Sequence, residues 1–507
     1  MRDNVQLSPK LARTLLVLAF ALLALWTLFG LDRPIGDGDE AFNAEVLRQM
    51  LRTGDVLHMR WYGVDLHERP PLTYWLALPF AAISSSEIGI RLSSALLSFV
   101  TLLLTYRISV RLFSQPLAAL TGTILLAGEP SYHDYTRTLM SEAPYLVGIT
   151  LALWGSLLAL RDARGLLLAA AGLGVCFAVR SFGGALPLLA LAPWLLWAYK
   201  QHGDLRTLLR AGAIFLALAL PYFVISYLAD PEQFVNEHIG FHLVKRLHGA
   251  ETFGISGGPL AYVYSIIQRD GPWVVLWISG SLVGGFVLAL SGRSPQRQAL
   301  LLLCTYTLLF FGAMSVIGTR IPHYILPIYP ALALLSSAVL AHVIEHWTAL
   351  WRVLVPALAT WMLVINTRFP GGHAVLFETP YGKMLGTKAR QVDPHAPLYV
   401  YEWYGMALGY YADRRIVLLT SQPARFKALN LPGHALARAH VAALVPPLPA
   451  APGQRILIAG HVNDLSHASW FKVDDILAAA PPYFLAHAVV EAPAADSGKL
   501  SRVAPPH

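Results

Sequence analysis

The sequence predicts an all-α polytopic membrane protein of about eleven transmembrane helices with a small C-terminal α/β domain outside the membrane. Three observations support this fold class. Only 13% of the 507 residues are charged and 55% are hydrophobic, whereas soluble domains carry about 25% charged residues. Uncharged apolar runs recur that can cross a hydrocarbon core of roughly 30 Å. Basic residues also alternate between loops as the positive-inside rule requires.

The predicted crossings follow the apolar runs, with boundaries that carry an error of a few residues. They are 14–31, 88–106, 116–133, 142–160, 166–180, 184–199, 211–228, 272–290, 298–317, 323–342 and 350–366. Residues 76–83 are too short to span, so they are assigned to the interface or to a broken helix. Most basic loop residues fall on one side when the N-terminus is cytoplasmic, so the long loops and the C-terminal domain are expected to be periplasmic.

Two domains are expected, a membrane domain at 1–366 with a long first outer loop at 32–87, and an extracytoplasmic domain at 367–507. Within the second domain, Pro397–Tyr401, Arg415–Thr420 and Arg455–Ala459 are predicted strands. There is no glycine-rich nucleotide-binding motif. The net charge of +8 is explained by basic cytoplasmic loops, so membrane lipids are expected partners and nucleic acid is not.

Three acids stand directly after the first predicted crossing, in the run Asp37-Gly38-Asp39-Glu40. Residues 41–51 have helical periodicity and predict an amphipathic helix on the membrane surface. Carboxylates are favoured at a helix N-terminus, so capping alone is one explanation of the acids. Three acids in four residues exceed what a cap requires, which indicates a functional role for Asp39 and Glu40.

A second motif in the same loop reads His67-Glu68-Arg69-Pro70-Pro71-Leu72-Thr73-Tyr74-Trp75. Its prolines impose an extended backbone, and its aromatic residues suit the membrane interface. Glu68 could ligate a metal, and Arg69 could bind a phosphate through two hydrogen bonds. The alternative is a surface ion pair beside a proline turn.

Further polar residues are predicted at the outer ends of other crossings. Glu142 lies at the mouth of one crossing, where an unpaired acid is costly, and Arg137 could pair with it. Arg180 is an isolated cation at the end of another crossing, which indicates function in a membrane protein. His323 and Tyr324 begin a third crossing, where a histidine is often an ordinary interfacial side chain.

The ordered set of motifs resembles the bacterial membrane glycosyltransferases of the GT-C superfamily, in particular the lipid A aminoarabinose transferases and protein-mannosyltransferase-like enzymes. The resemblance runs from about residue 15 to about residue 340. It rests on Asp39-Glu40 with Ala44-Glu45, Thr53-Gly54-Asp55, Glu68–Trp75, Arg91–Leu96 and Pro322-His323-Tyr324. The family usually has lysine where Arg69 stands and near Arg180, and aspartate where Glu142 stands.

The resemblance implies an inverting glycosyltransferase. Such an enzyme moves a sugar from a polyprenyl-phosphate carrier to a lipid, glycan or protein acceptor on the outer face of the bacterial inner membrane. Asp39 is then the catalytic base, with Glu40 beside it. A divalent ion, Mg²⁺, Mn²⁺ or Zn²⁺, is the one cofactor considered, with Glu68 and Glu142 as its ligands. The leaving phosphate needs positive charge or hydrogen bonds, for which the candidates are Arg69, Arg137, Arg180, His323 and Tyr324.

Two other classes stay open. A transporter or lipid flippase should show inverted repeats and ionisable residues near helix centres, whereas the charges here cluster at the outer ends of helices. A non-catalytic protein of envelope assembly would need no paired acids, and a transfer assay with purified protein would separate it from an enzyme. The sequence names neither the sugar nor the acceptor.

Overall fold

A computed structural model gives the fold of this chain, which is mostly helical in the part that it describes. The described residues are 9–67, 69–245, 258–291, 296–318, 320–346, 353, 356–357, 360, 380–420, 450–465, 468 and 471–491. The helices up to residue 346 are α1 Pro9–Leu28, α2 Asp39–Thr53, α3 Leu72–Ile83, α4 Glu87–Phe113, α5 Pro116–Ala127, α6 Pro130–Tyr135, α7 Glu142–Ala159, α8 Gly165–Arg180, α9 Ala185–His202, α10 Leu205–Ala229, α11 Pro231–Phe234, α12 Ala261–Arg269, α13 Pro272–Leu290, α14 Arg297–Val316 and α15 Tyr329–His346.

Eight segments of the described chain are long and apolar enough to cross a membrane, which confirms a multi-pass membrane protein. One of them, Gly165–His202, contains the two crossings predicted at 166–180 and 184–199. The crossing predicted at 116–133 corresponds to α5, which has only 12 residues, followed by the short α6. The crossing predicted at 350–366 falls almost wholly outside the described residues, so the count of about eleven stays a prediction.

The helices α7 and α8 form a closely packed antiparallel pair joined by a five-residue turn. Small residues allow this approach, because a Cβ on Gly155 would lie 2.1 Å from the backbone nitrogen of Ala169. A Cβ on Gly172 would lie 2.4 Å from the nitrogen of Ala152. Small residues at such contacts are typical of helix pairs in membranes, where backbone proximity supplies the packing energy. The first turn of α7 and the last turn of α8 therefore lie at the same end of the pair.

Contacts divide the chain into two compact units that are interleaved in sequence. The first comprises Met1–Arg33, Thr53–Met59 and His67–Val375, and the second comprises Pro34–Arg52, Arg60–Leu66 and Leu376–His507. Two stretches of the first outer loop, 34–52 and 60–66, thus group with the C-terminal residues. The domain boundary predicted at residue 366 lies outside the described residues and stays a prediction.

The second unit contains a five-stranded mixed sheet with strand order β4-β3-β5-β7-β6. Its strands are β3 Leu398–Tyr401, β4 Ile416–Leu419, β5 Arg455–His461, β6 Phe471–Ala480 and β7 Tyr483–Val490. Strand β3 is parallel to β4 and β5, whereas β7 is antiparallel to β5 and β6. The three predicted strands are confirmed, and the α/β character of this region with them. Sequence patterns gave no sign of β6 and β7.

Helices pack on one face of this sheet. They are α16 Pro380–Val392 and α17 Met406–Ala412, and the short α18 Val462–Leu465 follows β5. Leu385 and Leu408 are fully buried against Val400 and Leu457 of the strands. The small hairpin of β1 Met59–Trp61 and β2 Val64–Leu66 lies in the first outer loop.

The helix predicted at 41–51 is confirmed as part of α2, but its apolar stripe is buried. Val46 and Met50 are at most 1% exposed. The expectation that this stripe lies on lipid is therefore wrong, because protein covers it. Phe42 contacts the ring of Trp61 on β1, with ring centroids 5.3 Å apart.

Candidate active site

The first unit brings Glu142 and Arg180 together at the end of the α7–α8 pair. Glu142 is the first residue of α7 and Arg180 is the last residue of α8, so the antiparallel pairing places them side by side. A guanidinium nitrogen of Arg180 donates to Oε1 of Glu142 in a salt bridge. Glu142 is 1% exposed, and the Arg180 side chain is 16% exposed. The acid is therefore buried, while the arginine keeps a small accessible surface.

His323 joins this ion pair from a short 3₁₀ helix at Pro322–Ile328, directly before α15. Its Nε2 lies 3.3 Å from Oε1 of Glu142, and its ring lies on the ring of Tyr135 with centroids 4.4 Å apart. His323 is 7% exposed, so its imidazole is buried beside the carboxylate, and its functional role stays a prediction. The structure thus groups a carboxylate, a guanidinium and an imidazole.

Aromatic rings surround the guanidinium of Arg180. Its Cζ lies 4.7 Å from the ring centre of Tyr145 and 5.2 Å from that of Tyr324. Its Nε donates to Oγ of Ser141 over 3.1 Å. Rings and the carboxylate fix the side chain in one position, and a fixed guanidinium can bind a phosphate with little loss of entropy. We name Glu142, Arg180, His323 and Tyr324 the guanidinium cluster.

Arg137 lies in different surroundings from those expected. The sequence suggested a pair with Glu142, but Arg137 Nε donates to the carbonyl of His133 over 2.8 Å, and an Nη donates to the carbonyl of Phe29. Burial lowers the pKa of Arg137 to about 9, helped by the charge of Arg33. The predicted pair is wrong because a longer-range arginine, Arg180, occupies the carboxylate. The role of Arg137 in phosphate binding remains a proposal.

The proline motif contributes Arg69, which is half-buried shortly before α3. Neighbouring His67 fixes this segment, since its backbone N–H donates to Oε2 of Glu237 over 2.7 Å and its Nδ1 contacts Oγ of Ser226. These contacts concern His67, and the role of Arg69 in phosphate binding is a proposal that rests on the family resemblance. The sequence gave no sign of the Glu237 contact, which joins residues 170 apart.

The metal expectation has a weak basis in the described residues. Glu68 lies outside them. Glu142 contacts Arg180 and His323 through Oε1, so a positively charged group already stands where a cation would bind. Within the described part of the chain, no three His, Cys, Asp or Glu side chains are grouped as metal ligands. Glu142 in this arrangement does not fit a metal ligand, and no step below uses one.

A second buried acid lies close to Tyr135 of the same unit. Asp270 accepts a hydrogen bond from Oγ of Ser131 over 2.8 Å, and Arg269 donates to the Tyr135 hydroxyl over 2.9 Å. Burial raises the pKa of Asp270 to about 7. The sequence analysis missed Asp270, although an acid directly before the Gly-Pro start of an apolar run was the available signal.

The second unit contains the three clustered acids at 37–40, and their surroundings differ. Glu40 is fully buried, and its Oε2 accepts the backbone N–H of Gly36 over 2.9 Å. Asp37 is half-buried and hydrogen-bonded. Asp39, the first residue of α2, is exposed. The Glu40 carboxylate thus accepts a hydrogen bond within the loop, whereas the Asp39 side chain is exposed. The catalytic role of both acids stays a prediction.

Comparison with known proteins supports the resemblance. Residues 68–226 match the family model described as dolichyl-phosphate-mannose-protein mannosyltransferase. The undecaprenyl phosphate-alpha-4-amino-4-deoxy-L-arabinose arabinosyl transferase 2 of Pseudomonas fluorescens is 28% identical over 348 residues, which is 65% of this chain and 56% of that protein. The chain thus matches little more than half the length of that relative. An uncharacterized protein of Aquifex aeolicus is 26% identical, over 76% of this chain and 84% of its own length.

The fold has a solved counterpart. The crystal structure of ArnT from Cupriavidus metallidurans bound to undecaprenyl phosphate superposes with a TM-score of 0.72 and 17% identity, covering 94% of this chain and 98% of that one. The apo state of the same protein gives the same values. Since 94% exceeds the span of the sequence resemblance, the likeness extends into the C-terminal residues. The GT-C resemblance and the fold class are confirmed, and the transporter alternative has no support.

Proposed function

We propose that this protein is a glycosyltransferase that moves a sugar from a polyprenyl-phosphate carrier to a lipid or glycan acceptor, with inversion at the sugar carbon. A protein acceptor is the less favoured variant. The observation that carries the proposal is the guanidinium cluster. A buried carboxylate holds Arg180 between two aromatic rings at the end of a helix pair, in a chain whose fold has a GT-C counterpart.

The cluster suits the leaving group of such a reaction. When the bond between the sugar and the phosphate breaks, the phosphate oxygen keeps the electron pair and gains negative charge. A preorganised guanidinium stabilises that charge without reorganising, because its position is already fixed. Arg180 has this preorganisation from Glu142 and Ser141. Arg69 is the second proposed phosphate ligand, from the family motif.

The acceptor must lose a proton as its oxygen bonds to the sugar carbon. A carboxylate that takes this proton balances the reaction, since the polyprenyl phosphate leaves with the bonding electrons. Asp39 is the proposed base, on the strength of the resemblance and of its exposure at the start of α2. Glu40 is proposed only as a supporting acid, because its carboxylate closes the loop through Gly36.

The donor class is suggested by a relative. The name of the Pseudomonas fluorescens relative specifies undecaprenyl phosphate and 4-amino-4-deoxy-L-arabinose, so we propose an undecaprenyl-phosphate-linked pentose as the first donor to test and lipid A as the first acceptor. Arginine at position 69 and glutamate at 142 differ from the usual family residues, which makes another sugar a real alternative. We propose the bacterial inner membrane, with a cytoplasmic N-terminus and a periplasmic site.

The experiment is a transfer assay with purified protein in lipid nanodiscs. A panel of undecaprenyl-phosphate donors carries labelled 4-amino-4-deoxy-L-arabinose, mannose or galactose, and lipid A or an envelope glycan serves as acceptor. Mass spectrometry of the acceptor identifies the product. We expect one donor to be consumed. A parallel reaction in EDTA tests for a divalent ion, because chelation stops a metal-dependent transfer. Absence of transfer from every donor would contradict the proposal.

A further inference from the structure

The exposed Asp39 belongs to a loop whose neighbouring acid, Asp37, is held by the C-terminal part of the chain. Oδ2 of Asp37 accepts the indole N–H of Trp403 over 2.6 Å. Oδ1 accepts the backbone N–H of Ala407, in the first turn of α17, over 2.9 Å. All of these residues lie in the second compact unit. Both oxygens of one carboxylate are thus bound by donors that stand some 370 residues away in sequence.

Other contacts of the same unit attach the rest of this segment to α17. The backbone N–H of Ile35 donates to the hydroxyl of Tyr411 over 2.7 Å, and Ile35 itself is fully buried. Further along α2, Arg48 donates to the carbonyl of Tyr410 over 2.7 Å, and Arg52 donates to Asp413 over 2.8 Å. The contacts therefore begin on both sides of Asp39, at residues 35 and 37 and again at 48 and 52.

These contacts divide the acids of the loop by role. Burial raises the pKa of Asp37, while its hydrogen bonds from Ala407 and Trp403 lower it. A side chain that is engaged in this way cannot also move to accept a proton from a substrate. It can instead fix the backbone two residues before Asp39. Misplacement of a reacting group by 1 Å is enough to cost about 100-fold in rate, so such fixing has catalytic value.

We infer that Asp37 and Trp403 are positioning residues for glycosyl transfer. Their hydrogen bond anchors the loop that carries Asp39 to the C-terminal α/β domain. The inference rests on the proposed function and extends it, because it gives the C-terminal domain a part in catalysis. Trp403 follows β3 and lies within the core cluster beneath α16 and α17. Packing against the sheet thus holds Trp403 in place, and its hydrogen bond to Asp37 holds the loop.

The test compares three single variants in the full-length protein. Asp37→Asn replaces one carboxylate oxygen by an NH₂ group, so one of the two N–H donors, Trp403 or Ala407, loses its acceptor. Trp403→Phe removes the indole N–H and shortens the ring, but it keeps an aromatic side chain in the core, so it should fold even if Asp37→Asn is damaged. Arg52→Gln is the matched control, because it breaks another contact to the same domain at the far end of α2.

We expect kcat to fall about 10-fold or more in Asp37→Asn and in Trp403→Phe, with the donor KM changed by less than about 3-fold, since positioning acts on the chemical step. The double variant should have a kcat no lower than that of the less active single variant, because each substitution removes the same interaction. Hydrogen exchange at residues 36–42 should quicken in both, and Arg52→Gln should change neither kcat nor exchange there.

Two results would overturn the inference. One is a kcat in both variants that equals the value in Arg52→Gln. The other is unchanged exchange at residues 36–42 in Asp37→Asn. Failure of the proposed function gives a different pattern, in which wild-type protein transfers no sugar while exchange in the loop still responds to Asp37→Asn. The inference about catalysis then falls with the function, but the anchor stands.

Discussion

The most informative perturbation of the guanidinium cluster is Glu142→Gln. Glutamine has nearly the shape of glutamate but no charge, so the buried guanidinium of Arg180 loses its anion. Glu142 is 1% exposed, and His323 Nε2 also contacts it at 3.3 Å. The substitution therefore removes the negative charge that Arg180 and His323 both contact, without opening a cavity.

Removal of one partner from a buried ion pair costs about 3–5 kcal/mol. The lower end applies, because the Arg180 side chain is still 16% exposed and two tyrosine rings contact it. At about 2 cal/mol/K per residue, the entropy of unfolding of 507 residues is about 1 kcal/mol/K, so a fall of about 3 °C in melting temperature is expected. Transfer should fall about 100-fold, because the arginine is no longer held in position.

The assay is thermal unfolding and sugar transfer on a double-mutant cycle. Arg180→Gln and the double variant Glu142→Gln/Arg180→Gln complete the cycle, and the double variant should recover much of the stability, since it leaves no buried unpaired charge. Transfer should stay low in it. Arg60→Gln is the control, because its pair with Asp65 is exposed and such pairs contribute about 1 kcal/mol or less. Strictly additive losses of stability would refute the ion pair.

Three further predictions concern other parts of the chain. Arg69→Ala should weaken binding of the undecaprenyl-phosphate donor, measured by titration in nanodiscs, whereas Arg69→Lys should retain part of it; unchanged affinity in Arg69→Ala would remove this residue from the site. The raised pKa of Asp270, about 7, means that its protonated form is favoured in the folded state, so its contribution to stability is full at acid pH and is lost as pH rises through 7. The melting temperature of wild type should fall more steeply between about pH 4 and 7 than that of Asp270→Asn, and parallel curves over that range would contradict this. A reporter that works only after export should be active when it is fused after residue 366. Activity of a reporter that works only in the cytoplasm would contradict the predicted topology.

The membrane helices could be predicted from sequence because lipid imposes a simple rule. A helix such as α13 must be apolar along the length that crosses the lipid, and that run is visible without any partner. The strands at 398–401 and 416–419 were equally visible, because they are short buried apolar runs. Strand β6 was not, since its register shifts between Val473 and Asp475 and again between Ile476 and Ala478. These shifts break the period-two alternation from which a strand is read.

The candidate site was predicted as a set of residues, but not as a set of contacts. Glu142, Arg180, His323 and Tyr324 were singled out because charge at the end of an apolar helix is costly. Their grouping depends on the pairing of α7 with α8 and on the placement of the 3₁₀ helix, which sequence periodicity does not encode. The same reason explains the wrong pairing of Arg137, because a local partner is the only one that sequence can suggest.

The acids of the first outer loop show the same limit more sharply. Sequence offered Asp37, Asp39 and Glu40 as one cluster, with capping as the alternative. Hydrogen bonds from Trp403 and Gly36 engage two of the three. The bond to Asp37 crosses hundreds of residues, and the bond to Glu40 depends on the local fold of the loop, so the composition of the cluster could not distinguish the acids. The structure thus leaves Asp39 as the exposed acid of the group.

The most direct test of the central claim is the rate of sugar transfer by Asp39→Asn, at matched expression in membranes, beside wild type and Glu40→Gln. General acid–base groups contribute about 100- to 10,000-fold, so Asp39→Asn should lose transfer on that scale while it still inserts and binds the lipid donor. Glu40→Gln should lose little, because its amide oxygen can still accept the N–H of Gly36. Transfer by Asp39→Asn at close to the wild-type rate would contradict the assignment of Asp39 as the base.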